Sequence, residues 1–142
     1  VALGNIHTCA LTPTGSLKCW GFNAHGDLGD GTTDQRNSPV EVAGFSSRVA
    51  AITTGTAHGC AITAVAPGRG SAHGGTAVTV TGRYLPQHAL VSVGGAGSYV
   101  IRREYASLTV LTPPGRPGAL VDVTVHDHSG QTATLPEAFR YE

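Results

Sequence analysis

Cys9, Cys19 and Cys60 are the thiols of this 142-residue chain, and their spacing separates metal binding from cross-linking. Structural zinc sites take pairs of cysteines only a few residues apart, and no two of these stand so close. Asp27, Asp30 and Asp34 put carboxylates into the polar stretch Gly26–Asp34, but the alternating ligands and closing Glu of a calcium loop are missing. The stretch therefore reads as loop structure, with weak calcium coordination as the alternative. His126 and His128 flank Asp127 at i, i+2, a spacing that puts two imidazoles on one strand face, where they could hold a transition metal. Ser129-Gly130 follows directly, so this segment reads instead as the approach to a turn. Gly68-Arg69-Gly70 and Gly74-Gly75-Thr76 lack the Lys-Ser/Thr of a phosphate cradle and open no helix. Ser, His and Asp are all present, yet no G-x-S-x-G elbow exposes a serine. No catalytic, cofactor or metal residue is assigned, and the chain is expected not to be an enzyme.

The elements that carry these residues must be short. Twenty Gly and eight Pro leave little room for a long helix. Nine Lys+Arg balance nine Asp+Glu, and charged residues make up 13% of the chain, about half the ordinary share. A neutral chain offers no basic face to nucleic acid or anionic lipid. No apolar run approaches the roughly 18 residues of a membrane helix. There is no Met, so Val1 reads as the start of a processed or cut chain.

Gly4–Thr12, GNIHTCALT, returns as GTAHGCAIT at Gly55–Thr63, an offset of 51 residues that also aligns His7 with His58. A repeated residue usually serves the packing of its repeat, and both imidazoles are read that way. Within the period, HTCAL and SLKCWGF flank Thr12-Pro13-Thr14-Gly15, which predicts a hairpin with Cys9 opposite Cys19 and Leu11 opposite Leu17. Trp20 and Phe22 alternate along the second run and are expected inside the sheet. A long polar loop, Asn23 to Ser38, precedes an expected strand pair near Pro39–Val42 and Val49–Thr53. About 50 residues with four short strands describe a propeller blade.

From Ala64 the pattern changes. Val78 and Val80 share one strand face, as do Val121, Val123 and Val125, with Thr and Asp between them. Six or seven such strands with Gly/Pro turns imply a small antiparallel sandwich.

The stretch from His7 to Thr32, HTCAL followed by GSLKCWGFNAHGDLGDGT, resembles the repeat of the regulator-of-chromosome-condensation β-propeller family, in the form carried by secreted bacterial members. The second half resembles IPT/TIG immunoglobulin-like domains through Pro67, Gly74–Gly82 (GGTAVTVTG), Val93-Gly94-Gly95, Leu111-Thr112-Pro113, Val121–Val125 and Ala138-Phe139-Arg140-Tyr141. The resemblances imply an all-β chain: residues 1–63 as one blade plus the first strand of a next repeat, residues 64–142 as an immunoglobulin-like sandwich. Transcription-factor members of the second family touch DNA through basic loops. Here Arg102 and Arg103 are the one adjacent basic pair, and no nucleic-acid partner is expected. The exchange-factor activity of the propeller family needs loops that one blade cannot supply.

Facing strand positions make a Cys9–Cys19 disulfide plausible, which places the chain in an oxidising, extracellular or cell-surface compartment; two buried free thiols in a cytosolic blade are the alternative. Cys60 has no partner in the repeat and is left as an interchain or unpaired thiol. A lone blade leaves apolar surface uncovered, to be covered by further blades of a longer chain, by its own sandwich domain, or by blades of other copies. Ala57, His58, Cys60 and Ile62 could then complete a neighbour's sheet, building a homo-oligomer or polymer. The expected function is structural or adhesive, through self-association or protein binding. The alternative is a glycan-binding or spacer module of a larger secreted enzyme or surface protein, with Tyr84, Tyr99 and Tyr105 as the ligand surface.

Overall fold

A computed structural model describes residues 1–45, 48–54, 59–86 and 88–142. Strands β1 (Ala2–Leu3), β2 (His7–Leu11), β3 (Leu17–Gly21) and β4 (Arg36–Glu41) form an antiparallel sheet in that order. The β2–β3 turn is closed by the Gly15 N–H donating to the Thr12 carbonyl at 2.9 Å, with Gly15 at φ 86°, a left-handed conformation that favours glycine. Its register puts Cys9 opposite Cys19 and Leu11 opposite Leu17, as the turn residues imply.

The remaining strands are β5 (Ala51–Thr54), β6 (Gly59–Ala66), β7 (Arg69–Gly70), β8 (Ala77–Arg83), β9 (Leu90–Val93), β10 (Ala96–Glu104), β11 (Ser107–Leu111), β12 (Leu120–His126) and β13 (Thr132–Tyr141). They make one curled sheet in the order β5-β6-β8-β11-β10-β9-β12-β13-β7, in which β7 runs parallel to β13. β10 turns the corner: Ala96–Ser98 pair with β9, and Tyr99–Glu104 pair with β11. The curl brings β13 across from β5 and β6. Val78, Val80, Val91, Val93, Leu108, Val110, Val123, Val125 and Phe139 fill the space between as a continuous core. Among the described residues no helix is long and apolar enough to cross a membrane.

The structure corrects the expected pairing of the later strands, the availability of Cys60 and Ile62 to a neighbour, and the packing of Phe22 inside the sheet. The strands near Pro39–Val42 and Val49–Thr53 do not pair with each other: β4 pairs with β3, β5 pairs with β6, and the fourth strand of the first sheet is the two-residue β1. The boundary at residues 63/64 falls inside β6, which pairs with β5 through Gly59–Ile62 and with β8 through Ala61–Ala66. β6 is therefore no free edge. Cys60 and Ile62 are buried in the core of the curled sheet instead of being available to a neighbour, and Ala57 and His58 lie outside the described residues. Phe22 is exposed, its ring edge-on to His25 at 6.4 Å.

The repeat survives in the pairing. β1 and β2 align Ala2 with Cys9 and Leu3 with Thr8; β5 and β6 align Thr53 with Cys60 and Thr54 with Gly59. Each residue has moved by the same 51 positions. On the far edge of β6, β8 takes the place that β3 takes beside β2. Gly82 permits this, because a Cβ there would run into the backbone oxygen of Ala61.

Candidate functional site

The first sheet has two unlike faces. One carries Cys9, Leu17 and Cys19, which pack with Leu28, Val49 and Ala61, flanked by Leu11, Val42, Phe45 and Ile52. Cys9 and Cys19 are bonded across the strands with Cα atoms 4.1 Å apart, close to the spacing of a non-hydrogen-bonded antiparallel pair. Cross-strand pairs share a face, so the opposite face carries the rows Leu3–Thr8–Trp20 and Ala10–Lys18–Glu41. Lys18 and Glu41 form an exposed ion pair at 3.6 Å.

The Gly/Asp loop after β3 is organised by its own side chains. Buried Asn23 donates through Nδ2 to the carbonyls of Thr32 (3.0 Å) and Asp34 (3.1 Å), and its Oδ1 accepts from the Leu28 N–H at 2.9 Å. Asp30 accepts from Arg36 Nε at 2.8 Å, the Thr32 N–H at 2.9 Å and the Thr32 hydroxyl at 2.8 Å. These donors, Arg36 foremost, hold the Asp30 carboxyl well below the usual carboxylate range. Among the described residues, no three His, Cys, Asp or Glu side chains gather to hold a metal. His126 closes β12 and meets the Ser92 hydroxyl through Nε2 at 2.8 Å, while Asp127 caps the turn through the N–H groups of Ser129 and Gln131.

Cys60 is a buried free thiol, pushed up to about 12 by desolvation, with the nearby Asp127 charge acting the same way. Continuing the Ala61–Arg83 and Ile62–Gly82 register by one residue brings Tyr84, not a cysteine, across from it. Tyr84 and Cys60 help line a cavity of about 160 Å³ between the two sheets, together with Cys9, Cys19, Phe45 and Ala61.

The three tyrosines do not form one surface. Tyr84 and Tyr105 share a groove with His88, Arg103 and Glu104, in which Arg103 donates to the Ala89 carbonyl at 2.9 Å. Tyr99 stands elsewhere, on the outer face of the curled sheet. Continuing the β9–β10 register by one residue sets it beside Leu90, with Leu111 on its other side. Tyr99 is 76% exposed and Leu90 62%, and Ile101 is exposed at the bulge in β10. Leu90 and Ile101 escaped the sequence reading, although apolar Leu90 directly before Val91 breaks the strand alternation that marks a one-sided strand.

An all-β chain with a disulfide-linked repeat sheet running into an immunoglobulin-like sheet is the class these features define. Residues 61–141 match the IPT/TIG domain family, and residues 14–62 match the regulator of chromosome condensation (RCC1) repeat. The chain belongs to the IPT/TIG family and carries an RCC1 repeat ahead of that domain. The two matches meet within β6. Among relatives, the human E3 ubiquitin-protein ligase HERC2 is 35% identical over 74 residues, covering 51% of this chain and 2% of the ligase. Ras guanine nucleotide exchange factor C of Dictyostelium discoideum is 43% identical over 49 residues, covering 34% of this chain and 3% of the relative. The ultraviolet-B receptor UVR8 of Arabidopsis thaliana is 33% identical over 64 residues, covering 44% and 14%. The chain thus spans a small fraction of the curated relatives it matches. Among solved structures, the full extracellular region of plexin A4 superposes with a TM-score of 0.51 at 16% identity, covering 89% of this chain and 9% of plexin. That likeness concerns fold.

Proposed function

We propose that the chain is an extracellular, non-enzymatic structural or adhesive module that acts by protein–protein contact. The carrying observation is the outer row of Leu90 and Tyr99, extended by Ile101. Adjacent exposed apolar side chains supply the kind of surface that protein contacts bury. The Cys9–Cys19 bond supports a secreted or cell-surface location, because such bonds persist in oxidising compartments. Contact through the row requires no strand exchange.

Light scattering over a concentration series, with and without reductant, tests the self-associating form of this reading. The expected result is a mass that climbs above the 14.4 kDa monomer, ignores reductant, and collapses in the variant Leu90→Ser/Tyr99→Ser. A mass fixed at 14.4 kDa throughout overturns self-association and leaves heterologous protein binding. Assembly that dissolves in reductant would overturn the row as the contact and make a disulfide the support of the assembly.

A second reading, a glycan-binding module of a larger secreted enzyme or surface protein, is supported by the groove that Tyr84 and Tyr105 share. Retardation in polysaccharide affinity gels, lost in Tyr105→Ala, would favour it; unchanged mobility would remove it.

A further inference from the structure

The cavity of about 160 Å³ between the two sheets is not solely apolar. Leu17 of β3, Leu28, Val42, Phe45 and Ile52 of β5 give it greasy walls. Side chains alternate along a strand, so Thr54 shares the face of Ile52 and is turned towards the first sheet. Thr54 lines the cavity, and Asp27 reaches it from the Gly/Asp loop. Tyr84 borders both the cavity and the outer groove with Tyr105, which places the mouth of the cavity at Tyr84. The backbone of Tyr84 is held at φ 56°, a left-handed conformation that a residue with a Cβ rarely adopts. Residues held in this way gather at ligand sites.

Two oxygens of this lining, Thr54 Oγ1 and Asp27 Oδ2, are buried without a hydrogen-bond partner among the described residues. Thr54 is only 1% exposed. A buried hydroxyl left unpaired is destabilising, and in a folded protein such a group calls for water or a ligand. Water suits the oxygens but not the walls. The volume equals the share of about five water molecules, and those lying against Leu28, Val42 and Phe45 would lack partners. A molecule with an apolar body and one polar end satisfies both parts of the cavity. The polar end must donate, because a carboxylate oxygen only accepts. Among the described residues no Lys or Arg lines the cavity, so the Asp27 carboxylate has no cation beside it there.

We propose that the cavity between the two sheets is a binding site for a small primary amine with an apolar body, of about six non-hydrogen atoms, the size that a cavity of this volume encloses. The ammonium group donates to Asp27 Oδ2 and to Thr54 Oγ1, and its three N–H bonds suffice for both. The apolar body lies against Leu17, Leu28 and Phe45. A sugar is too polar for these walls, so the site is distinct from the glycan reading of the outer groove. It is also independent of the Leu90–Tyr99 row.

Titration of the whole chain with isopentylamine and with its neutral counterpart isopentanol, followed through backbone amide chemical shifts at neutral pH, tests the proposal. The amine should give saturable shifts at Leu28, Gly29, Thr54 and Ala61, with a Kd of about a millimolar, while Leu90 and Tyr99 stay unmoved. The alcohol has the same shape and one donor but no charge, and should bind about tenfold more weakly. Asp27→Asn, at a partly exposed loop position, should weaken the amine about tenfold and leave the alcohol within about twofold. Ala61→Leu fills the cavity and should abolish both. Should overpacking unfold that variant, Thr54→Val keeps the volume, removes the hydroxyl and should weaken the amine severalfold. Shifts that never saturate mean that water alone occupies the cavity, and they overturn the proposal. Equal binding of amine and alcohol, unchanged in Asp27→Asn, overturns it as well, because the carboxylate then selects nothing.

Discussion

The strand pairs β1–β2 and β5–β6 share a register residue for residue, yet one lies in a sheet held together by cross-links and the other lies in a packed core. The first sheet relies on the Cys9–Cys19 bond and on the Asn23–Asp30–Arg36 network, and one of its faces is open to solvent. Around the second pair, Val78, Val80, Val110 and Val123 are fully buried, and the stabilisation comes from volume excluded from water. Identical local pairing thus does not determine how a strand pair is stabilised; the sheet laid against it does. Because β6 belongs to both regions, the comparison also asks whether they can unfold apart.

The largest expected effect breaks the packed side. Phe139 is fully buried and meets Tyr141 edge-on at 5.1 Å, so Phe139→Ala should cost about 3–5 kcal/mol. If β6 couples the regions, Trp20 emission and far-ultraviolet circular dichroism will move to the same lower urea midpoint. Trp20 emission that holds its original midpoint would show that the first sheet stands alone.

The next effect breaks the cross-linked side. The Cys9–Cys19 bond closes a loop of sequence separation 10, and Cys9→Ala/Cys19→Ala should lose about 2–3 kcal/mol. Amide exchange should quicken first in β2 and β3 and leave β11 and β12 protected. Equal acceleration in all four strands would make the disulfide a support for the whole chain.

Both of these contacts were announced by local sequence. The hairpin register was legible because Pro13 and Gly15 fix a turn, and a fixed turn fixes every pair behind it. The sandwich core was legible in the same local way, through the alternation of Val78 with Val80 and of Val123 with Val125. What stayed hidden depends on partners far along the chain. Strand β1 is two residues long and carries no periodicity. The junction inside β6 depends on the approach of Gly82 to Ala61, which no pattern in Gly59–Ala66 reveals. Of the tyrosines singled out, Tyr84 and Tyr105 meet only because the end of β8 and the β10–β11 turn converge. Tyr99 was singled out as a ligand-surface candidate without a strand face to place it on, and its neighbour Leu90 comes from another strand.

A smaller effect sharpens the contrast between the repeat cysteines. Cys9 is bonded, whereas its counterpart Cys60 is a thiol pushed up to about 12 from an ordinary value of 9.0. The unfolded chain releases this proton more readily than the folded one, so the thiol's contribution to stability is fully present below pH 9 and is lost as pH rises towards 12. Stability should fall with a slope of up to about 1.4 kcal/mol per pH unit across that range. Cys60→Ala should flatten the slope. The native thiol should also resist alkylation at pH 8 until denaturant opens the core; labelling at the rate of a free thiol would contradict its burial.

The smallest global effect lies in the loop after β3, where polar contacts do locally what valines do in the curled sheet. Asp30 is held below the ordinary carboxylate range by Arg36 and Thr32, so the folded loop keeps its charge at acidities where an unfolded chain would take up the proton. Its contribution is present above the unfolded value of 3.8 and is lost only as pH falls further, through the depressed folded value. In Asp30→Asn the Arg36 guanidinium loses its charged acceptor, and the Thr32 N–H keeps only a neutral one. The midpoint of unfolding should scarcely move, because the loop is polar and the Cys9–Cys19 bond still holds the sheet beside it. Exchange of the Thr32 amide should nevertheless accelerate and lose its acid dependence. A large drop in the global midpoint would mean that the loop, through Leu28 beneath it, supports the contact between the two sheets as strongly as the disulfide does.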